Sequence, residues 1–491
     1  MRAGVWIITL AAWGVASPTM AQDVPGDSVS SADVQDLMLG VTMNDHGTRT
    51  VATFKRLPDG ELEAAPDDLR TAGIKPEMGT TDARGWIPLD SLKGVTWRYD
   101  EPAQMVFFQA PDSAREPAKI NVSNATGPID FSTVRSNLGF VLNYTLYGTS
   151  DYDWGYSGAT SSSLNGSFDA RLLTHFGTGS TTLLARLNPF ENFDMFDRPN
   201  GSFTRLDSSW RYTDPENLLV YQLGDAISGS LPWSSSYRFG GFQLKRNFNL
   251  RPDLITSPVP NLSGSASVPS TLDLYLNNMK VFSGEVPAGP FDFTGLPFLG
   301  GGGDARIVMR DALGREVVTQ RQYFFAPNML SRGIADFSVD AGFVRLGFGD
   351  QSFLYDRNVA GSASIRYGLS DWVTLEGHAE ATRGLINGGA GVALGLGSYG
   401  SLSSSFAGSS YNSQLGGKAS AFYQASYKGY SFYIGADRTF GDYSDVGLAI
   451  DRSRDNDIPI SASAQKVDRI GFSFPLGFDP SSLNLSFSRI R

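Results

Sequence analysis

A chain of 491 residues has room for two or three ordinary domains, or for one very large β architecture carrying a small domain. The absence of cysteine excludes disulfides and thiolate metal sites, and a net charge of −10 argues against nucleic acid as a partner. Its 55 glycines, 12% aromatic residues and only 18% charged residues suit a protein of many strands and turns better than a helical enzyme.

Residues 1–21 read as a secretory signal peptide: Arg2, the apolar run GVWIITLAAWGVA, then SPTMAQD with Thr19 and Ala21 at the small-residue positions of a cleavage site. The run is too short to span a bilayer, and no other window approaches the ~20 apolar residues a membrane helix needs. Any membrane role therefore falls to strands. Residues 22–111 read as a small mixed domain. RTVATFKRLPDGELE sets a Pro58-Asp59-Gly60 turn between strand-like arms, PDDLRTAG has Pro66 at the first helical position and Gly73 at the C-terminal cap, and a strand in YDEPAQMVFFQAP ends at Pro111. Residues 112–130 are polar, lack a period and read as a linker.

From Phe131 the period becomes two. In TRLDSSWRYTDPENLLVYQLGD, Leu206, Ser208, Trp210 and Tyr212 alternate with Asp207, Ser209 and Arg211, and a DPEN turn leads to a second strand. In WVTLEGHAEA, Val373, Leu375 and Ala379 face one way, and Thr374, Glu376, His378 and Glu380 the other, so one face suits lipid and the other water. KASAFYQASYKGYSFYIGAD reads as a hairpin with Tyr427 and Tyr430 beside the Lys428-Gly429 turn, where an interfacial aromatic girdle would lie. About six such strands are expected over 131–250 and about nine over 327–491. A soluble sandwich or solenoid alternates too, but strands of about ten residues with polar inner faces and aromatic ends fit a transmembrane barrel better.

Between these blocks, residues 251–326 break the pattern. A Pro-rich entry precedes compact hydrophobic strands, with hairpin turns expected at Asn277-Asn278 and Ala312-Leu313-Gly314. The segment is too long and too well patterned for a loop, and reads as an inserted β-sandwich. Its turn VPAGPFDFTGLP is rigid, because Pro287 and Pro290 fix φ and remove donors while Gly289 opens a conformation closed to other residues. Phe291 and Phe293 then alternate into the core.

Sites for catalysis are hard to find. The run Gly300 to Gly303 lacks the Lys-Ser/Thr and helix of a phosphate loop and reads as a flexible link between strands. Glu376, His378 and Glu380 share a strand face, but their linear spacing of about 7 Å per step is a poor fit to a tetrahedral metal site, so they read as lumen polarity. No G-x-S-x-G elbow is evident, and no cofactor or metal is implied.

The stretch VPAGPFDFTGLP resembles the plug signature of fimbrial (chaperone–usher) outer-membrane ushers. The likeness extends through SVPSTLDLYLNNMKVFSGEVPAGPF and GDARIVMRDALGREVVTQRQYFFAPNMLSRGIADFSVDAGFVR, which are similar to ushers of the archaic, spore-coat-like pilus type. WIPLDSL and YDEPAQMVFFQAP are similar to their periplasmic N-terminal domain. The resemblance implies an all-β fold: a transmembrane barrel, partial in this chain, with an inserted sandwich plug and a small mixed periplasmic domain. It implies a non-enzymatic outer-membrane protein that recruits periplasmic chaperone–subunit complexes and passes pilus subunits through a plugged pore. The plug signature falls on Val286, Pro287, Gly289, Pro290 and Phe291, and Val34, Leu37 and Met38 are the apolar candidates for chaperone–subunit contact. The chain ends within a strand-like segment, so the barrel is expected to be incomplete; an unpaired edge in lipid costs several kcal/mol per exposed backbone group. A passive porin, a plugged transporter, a non-functional usher fragment and a soluble surface adhesin stand as alternatives.

Overall fold

The structure is a computed structural model and describes residues 34–44, 46–122, 131, 137–152, 160–187, 203–259, 262–296, 301–326, 328–454, 464–476 and 481–491. The signal-peptide segment lies outside the described residues. The chain divides into two compact units, residues 1–117 and residues 118–491.

In the first unit, strands β1 (Gln35–Met43), β2 (His46–Arg56), β3 (Leu62–Ala64), β4 (Ile87–Pro88), β5 (Thr96–Asp100) and β6 (Met105–Gln109) form one sheet in the order β4-β3-β2-β1-β6-β5. β1 sits centrally, antiparallel to β2 and parallel to β6. Its alternate residues Leu39, Val41 and Met43 join Phe54, Leu69, Ile87 and Phe108 in a closed apolar core. Helix α1 (Pro66–Thr71) begins with a proline and carries Asp67 and Asp68 in its first turn, where the exposed N–H groups favour negative charge.

The second unit begins with β7 (Ala118–Asn121), followed by six long strands: β8 (Gly139–Tyr152), β9 (Thr160–Thr174), β10 (Gly177–Leu187), β11 (Phe203–Asp214), β12 (Leu219–Ile227) and β13 (Arg238–Arg246). Six shorter or more irregular strands come next: β14 (Ser263–Ala266), β15 (Ser270–Leu276), β16 (Met279–Val286), β17 (Gly289–Thr294), β18 (Gly301–Asp311) and β19 (Glu316–Phe325). Five strands then run in succession: β20 (Ala335–Arg345), β21 (Tyr355–Ser370), β22 (Val373–Thr382), β23 (Leu385–Gly395) and β24 (Ser401–Tyr411). The last four are β25 (Gln414–Tyr427), β26 (Tyr430–Gly441), β27 (Lys466–Pro475) and β28 (Ser482–Ile490), with helix α2 (Val446–Arg454) between β26 and β27.

β8–β13 and β20–β28 make one fifteen-stranded sheet, ordered from β8 at one edge to β28 at the other. The expected six and nine strands are both present. β13 pairs directly with β20, Gln243 opposite Asp340, so the sheet runs on uninterrupted beneath the inserted segment. Burial is inverted relative to a soluble protein. On β22, Thr374, Glu376, His378 and Glu380 are buried while Leu375 is 44% exposed; elsewhere Phe140, Ile386 and Phe406 are more than half exposed. An exposed apolar face over a buried polar one is the arrangement lipid demands of a barrel, and it disposes of the soluble-sandwich reading. The Lys428-Gly429 turn has positive φ at both residues, the geometry of a two-residue hairpin, with Tyr427 and Tyr430 exposed on either side.

The inserted segment is a two-sheet sandwich: β14-β17-β7 faces β16-β15-β18-β19. Two sequence expectations are corrected here. Part of the stretch read as linker is strand β7, which pairs parallel with β17, Ala118 opposite Phe291. Four residues whose partner lies over 170 positions away leave no local signal. The glycine run is no flexible link either over its described part: Gly301 to Gly303 are the first residues of β18, and Gly300 lies outside the described residues. Glycine is required there because a Cβ on Gly303 would overlap the Asn277 side chain, and one on Gly302 would overlap Ser426 of β25.

Candidate functional site

The site consists of the sandwich and of the barrel wall beside it. Within VPAGPF, Val286 ends β16 in one sheet and Gly289 opens β17 in the other, so the turn carries the chain across the sandwich. Gly289 is buried and holds φ +125°, which a side chain resists, while Pro290 opposes Ser265 in the β14–β17 ladder. Phe291 and Phe293 enter the core with ring centroids 5.7 Å apart in a T-shaped pair, and Phe282 meets Phe293 edge to face at 6.1 Å. Leu272, Leu274, Ile307 and Phe325 complete the packing. On the surface of the sandwich, the Ser283 hydroxyl and the Lys280 ammonium hold the Asp273 carboxyl below the usual carboxylate range.

The segment leaving the sandwich is tied to the barrel wall. Thr374 Oγ1 accepts from the Leu330 amide at 2.9 Å, and Arg366 Nη2 donates to the Asn328 carbonyl at 2.5 Å. β18 and β19 contact the end of β25 and the short 3-10 turn Gly397–Tyr399.

The wall itself carries three polar assemblies. The first binds the loop over 228–237, SGSLPWSSSY, whose Leu231, Trp233 and Tyr237 are buried. Asp340 anchors it: its carboxylate accepts from the Gly229 amide at 2.9 Å, from Gln243 Nε2 at 2.6 Å, and from the Ser338 and Ser362 hydroxyls. Farther along, Trp233 Nε1 donates to Glu376 Oε2 at 2.8 Å, Lys418 Nζ donates to the Trp233 carbonyl at 3.0 Å, and the Tyr237 hydroxyl meets Ser362.

The second assembly docks α2. Asp445 Oδ1 accepts from the Leu448 amide at 2.9 Å as an N-terminal cap, and Glu380 Oε1 accepts from the Val446 amide at 3.2 Å and from Asn387 Nδ2 at 2.9 Å. Val446, Ala449 and Ile450, spaced for one helix face, pack on Tyr237, Phe239, Val344 and Leu385. The third is ionic. Asp225 is bound by Arg205, by the Tyr355 hydroxyl, by the Ser208 amide at 2.7 Å and by Arg345 Nη1 at 3.1 Å, while Arg205 also donates to the Ser352 carbonyl. A buried carboxylate shared by two guanidinium groups is compensated only while the whole set is present.

Glu376, His378 and Glu380 do stand side by side on the lumen face. Each carboxylate is already committed to a protein N–H, and no metal-holding cluster occurs among the described residues. In the first unit, Leu37 is half-buried against the core, Val34 precedes β1 and is half-buried, and Met38 is 75% exposed on the opposite face of β1. Sequence reasoning missed the 228–237 loop, α2 and the Asp225 cluster. An aspartate followed by V-x-x-A-I was a legible helix start at Asp445. The Asp225 cluster left no comparable trace, because its members come from β11, β12, β20 and β21.

Long strands with an apolar exterior and a polar, cross-braced interior, interrupted by a sandwich between two paired strands, define a partial transmembrane β-barrel with an inserted plug-like domain. This chain matches the sequence profile of the family described as outer membrane usher protein over residues 222–457. It is 25% identical over 351 residues to the outer membrane usher protein FocD of Escherichia coli, covering 66% of this chain and 36% of that protein. It is 29% identical over 161 residues to YehB of Escherichia coli strain K12, covering 33% of this chain and 19% of YehB. A chain of the solved E. coli P pilus tip assembly intermediate PapC-PapD-PapK-PapG, in its second conformation, shares the fold at a TM-score of 0.53. The identity there is 17%, covering 93% of this chain and 57% of that one. This chain thus spans about a fifth to a third of the curated relatives it matches. The descriptions of the family and of these relatives place them in the outer membrane.

Proposed function

We propose that the chain is an usher for pilus assembly: its domain over 22–111 receives periplasmic chaperone–subunit complexes, and its barrel passes pilus subunits under control of the sandwich over 251–326. The observation that carries this reading is the placement of β14–β19, the sandwich strands that β7 completes, as the connection between two directly paired barrel strands. A porin needs no such domain, and a transporter of the type that carries its plug ahead of the first strand would not place it after six. The role calls for no cofactor and no catalytic step. Subunit exchange draws on main-chain pairing, in which a better strand replaces the chaperone's strand in each subunit. The runs flanking VPAGPF favour the archaic, spore-coat-like branch of the family.

Val34, Leu37 and Met38 are the proposed contacts for the arriving complex, and Met38 offers the most exposed apolar surface of the three. The first unit has its own closed core, so residues 22–117 can be tested alone. Immobilised, this domain is expected to retain a periplasmic chaperone–subunit complex encoded beside the gene, with Met38→Asp weakening capture about tenfold; no capture by the folded domain would count decisively against the reading.

A further inference from the structure

Between the 228–237 loop and strands β24 to β27 of the wall, the lumen holds a cavity of about 330 Å³, the size of a small-molecule site, which the function just described leaves unused. Its lining combines an aromatic face, a charged pair and stranded polar groups. Phe422 of β25 lies half-buried along the wall, stacked on Tyr433 of β26 with ring centroids 5.9 Å apart and planes 27° from parallel. Glycines make room for both rings: a Cβ on Gly435 would stand 2.9 Å from the Phe422 ring, and one on Gly471 would overlap Tyr433. Trp233 closes the loop side. Beyond the rings, Asp437 of β26 meets Arg469 of β27 at 3.2 Å, and the arginine side chain is 53% exposed. A carboxylate has several lone-pair sites and a guanidinium several N–H groups, so one ion pair leaves most of both unused. The Ser420 hydroxyl and the Asn328 side-chain oxygen also line the cavity, each buried without a hydrogen-bond partner among the described residues.

The charges of the cavity balance. Asp437 is matched by Arg469, and Glu376 by the Trp233 N–H at 2.8 Å and by Arg366 Nε at 3.6 Å. The lining therefore offers donors, acceptors and an apolar ring face without the net positive field that a phosphate or carboxylate ligand draws on. We propose that this cavity is a binding site for a neutral sugar, of the size of a mono- or disaccharide. A pyranose carries the complementary pattern. The C–H bonds of one ring face lie against Phe422, and the hydroxyls around the edge, each both donor and acceptor, reach Asp437, Arg469, Ser420 and Asn328. An aliphatic ligand would leave those polar groups unpaired, and an anion would meet the Asp437 and Glu376 carboxylates. Because Trp233 belongs to the loop and the other groups to the wall and the segment leaving the sandwich, a bound sugar bridges them and holds the loop down. This inference goes beyond the proposed usher role, and its failure would leave that role untouched.

The test uses the full chain in micelles of an amine-oxide detergent, which carries no sugar headgroup. Saturation-transfer NMR with maltose, cellobiose and lactose measures binding, and hydrogen exchange of 228–237 reports where the sugar sits. At least one of these sugars is expected to receive transfer and, at saturation, to slow exchange of 228–237, whereas the dianion glutarate is expected to do neither. Phe422→Ala and Asp437→Ala, with heat-modifiable gel migration as the check on folding, should each weaken sugar binding about tenfold, the loss of a stacked ring or of a charged hydrogen-bond partner. If Phe422→Ala does not fold, Phe422→Leu takes its place. No transfer to any of the sugars, binding undiminished in the folded variants, unchanged exchange at 228–237, or equal binding of glutarate would each overturn the proposal.

Discussion

Phe291 in the sandwich and Asp340 in the barrel wall are almost equally hidden, at 1% and 2% exposure, but they are held by opposite means. Phe291 is surrounded by Phe293, Leu272 and Phe325, and its stability comes from apolar area removed from water. Asp340 has an amide, an amide side chain and two hydroxyls around its carboxylate, and is tolerated because each oxygen finds donors. One polypeptide thus has an interior that tolerates size changes poorly and another that tolerates loss of a partner poorly. The division follows the solvent outside: water surrounds the sandwich, whereas lipid surrounds the strands and takes up their apolar residues, leaving polar ones to face inward.

That contrast can be broken or sharpened by substitution. The largest effect is expected from Asp225→Ala, which leaves the Arg205 and Arg345 guanidinium groups buried without their shared carboxylate. A loss of about 3–5 kcal/mol follows for removing one partner of a buried pair, read as a drop in the temperature at which the barrel loses heat-modifiable migration. Phe291→Ala should cost the sandwich a similar ~3–5 kcal/mol through transfer and cavity terms, seen as faster hydrogen exchange in 270–294 while the barrel's gel behaviour stays as it was. If Phe291→Ala collapses the barrel, the two interiors are not independent.

A smaller effect is expected from Trp233→Phe, which keeps an aromatic ring against Leu231 and Tyr443 but removes the N–H on Glu376. Docking of the loop should weaken by roughly 1–3 kcal/mol, the cost of stranding a buried acceptor, measurable as increased exchange at 228–237. The smallest concerns Asp273. Its carboxyl is held low by Ser283 and Lys280, so its contribution to the sandwich is present above the unfolded carboxylate range near 4 and is lost as the pH falls through the folded value. Asp273→Asn should lower the stability of 270–286 slightly at pH 7 and flatten the acid limb of its profile, so that variant and wild type converge at low pH.

Much of the architecture was legible because it is local. Alternation over TRLDSSWRYTDPENLLVYQLGD and WVTLEGHAEA located barrel strands and separated their faces, since strand periodicity is set by neighbouring residues. Asn277-Asn278 and Lys428-Gly429 marked hairpins because both residues of each pair adopt positive φ. The polarity of Glu376, His378 and Glu380 was readable in the same way, but not what each one holds. β7 escaped notice because four residues with a distant partner carry no period of their own, and Gly301 to Gly303 were taken for a link because the Asn277 and Ser426 contacts that exclude side chains come from elsewhere in the fold.

By itself, the sequence determined that this is a strand protein with an inverted pattern, a rigid proline-glycine corner inside an inserted segment, and no helix long enough to cross a membrane. These are properties of composition, period and turn chemistry, which act over a few residues. Only the tertiary structure decided that Asp225 draws its partners from three other strands, that Glu376 and Glu380 hold a loop and a helix in the lumen, and that β7 completes a sandwich formed far downstream. Those are meetings of residues 20 to 170 positions apart, and no local preference specifies them. They follow from closing apolar surface against lipid and finding a partner for every polar group left inside.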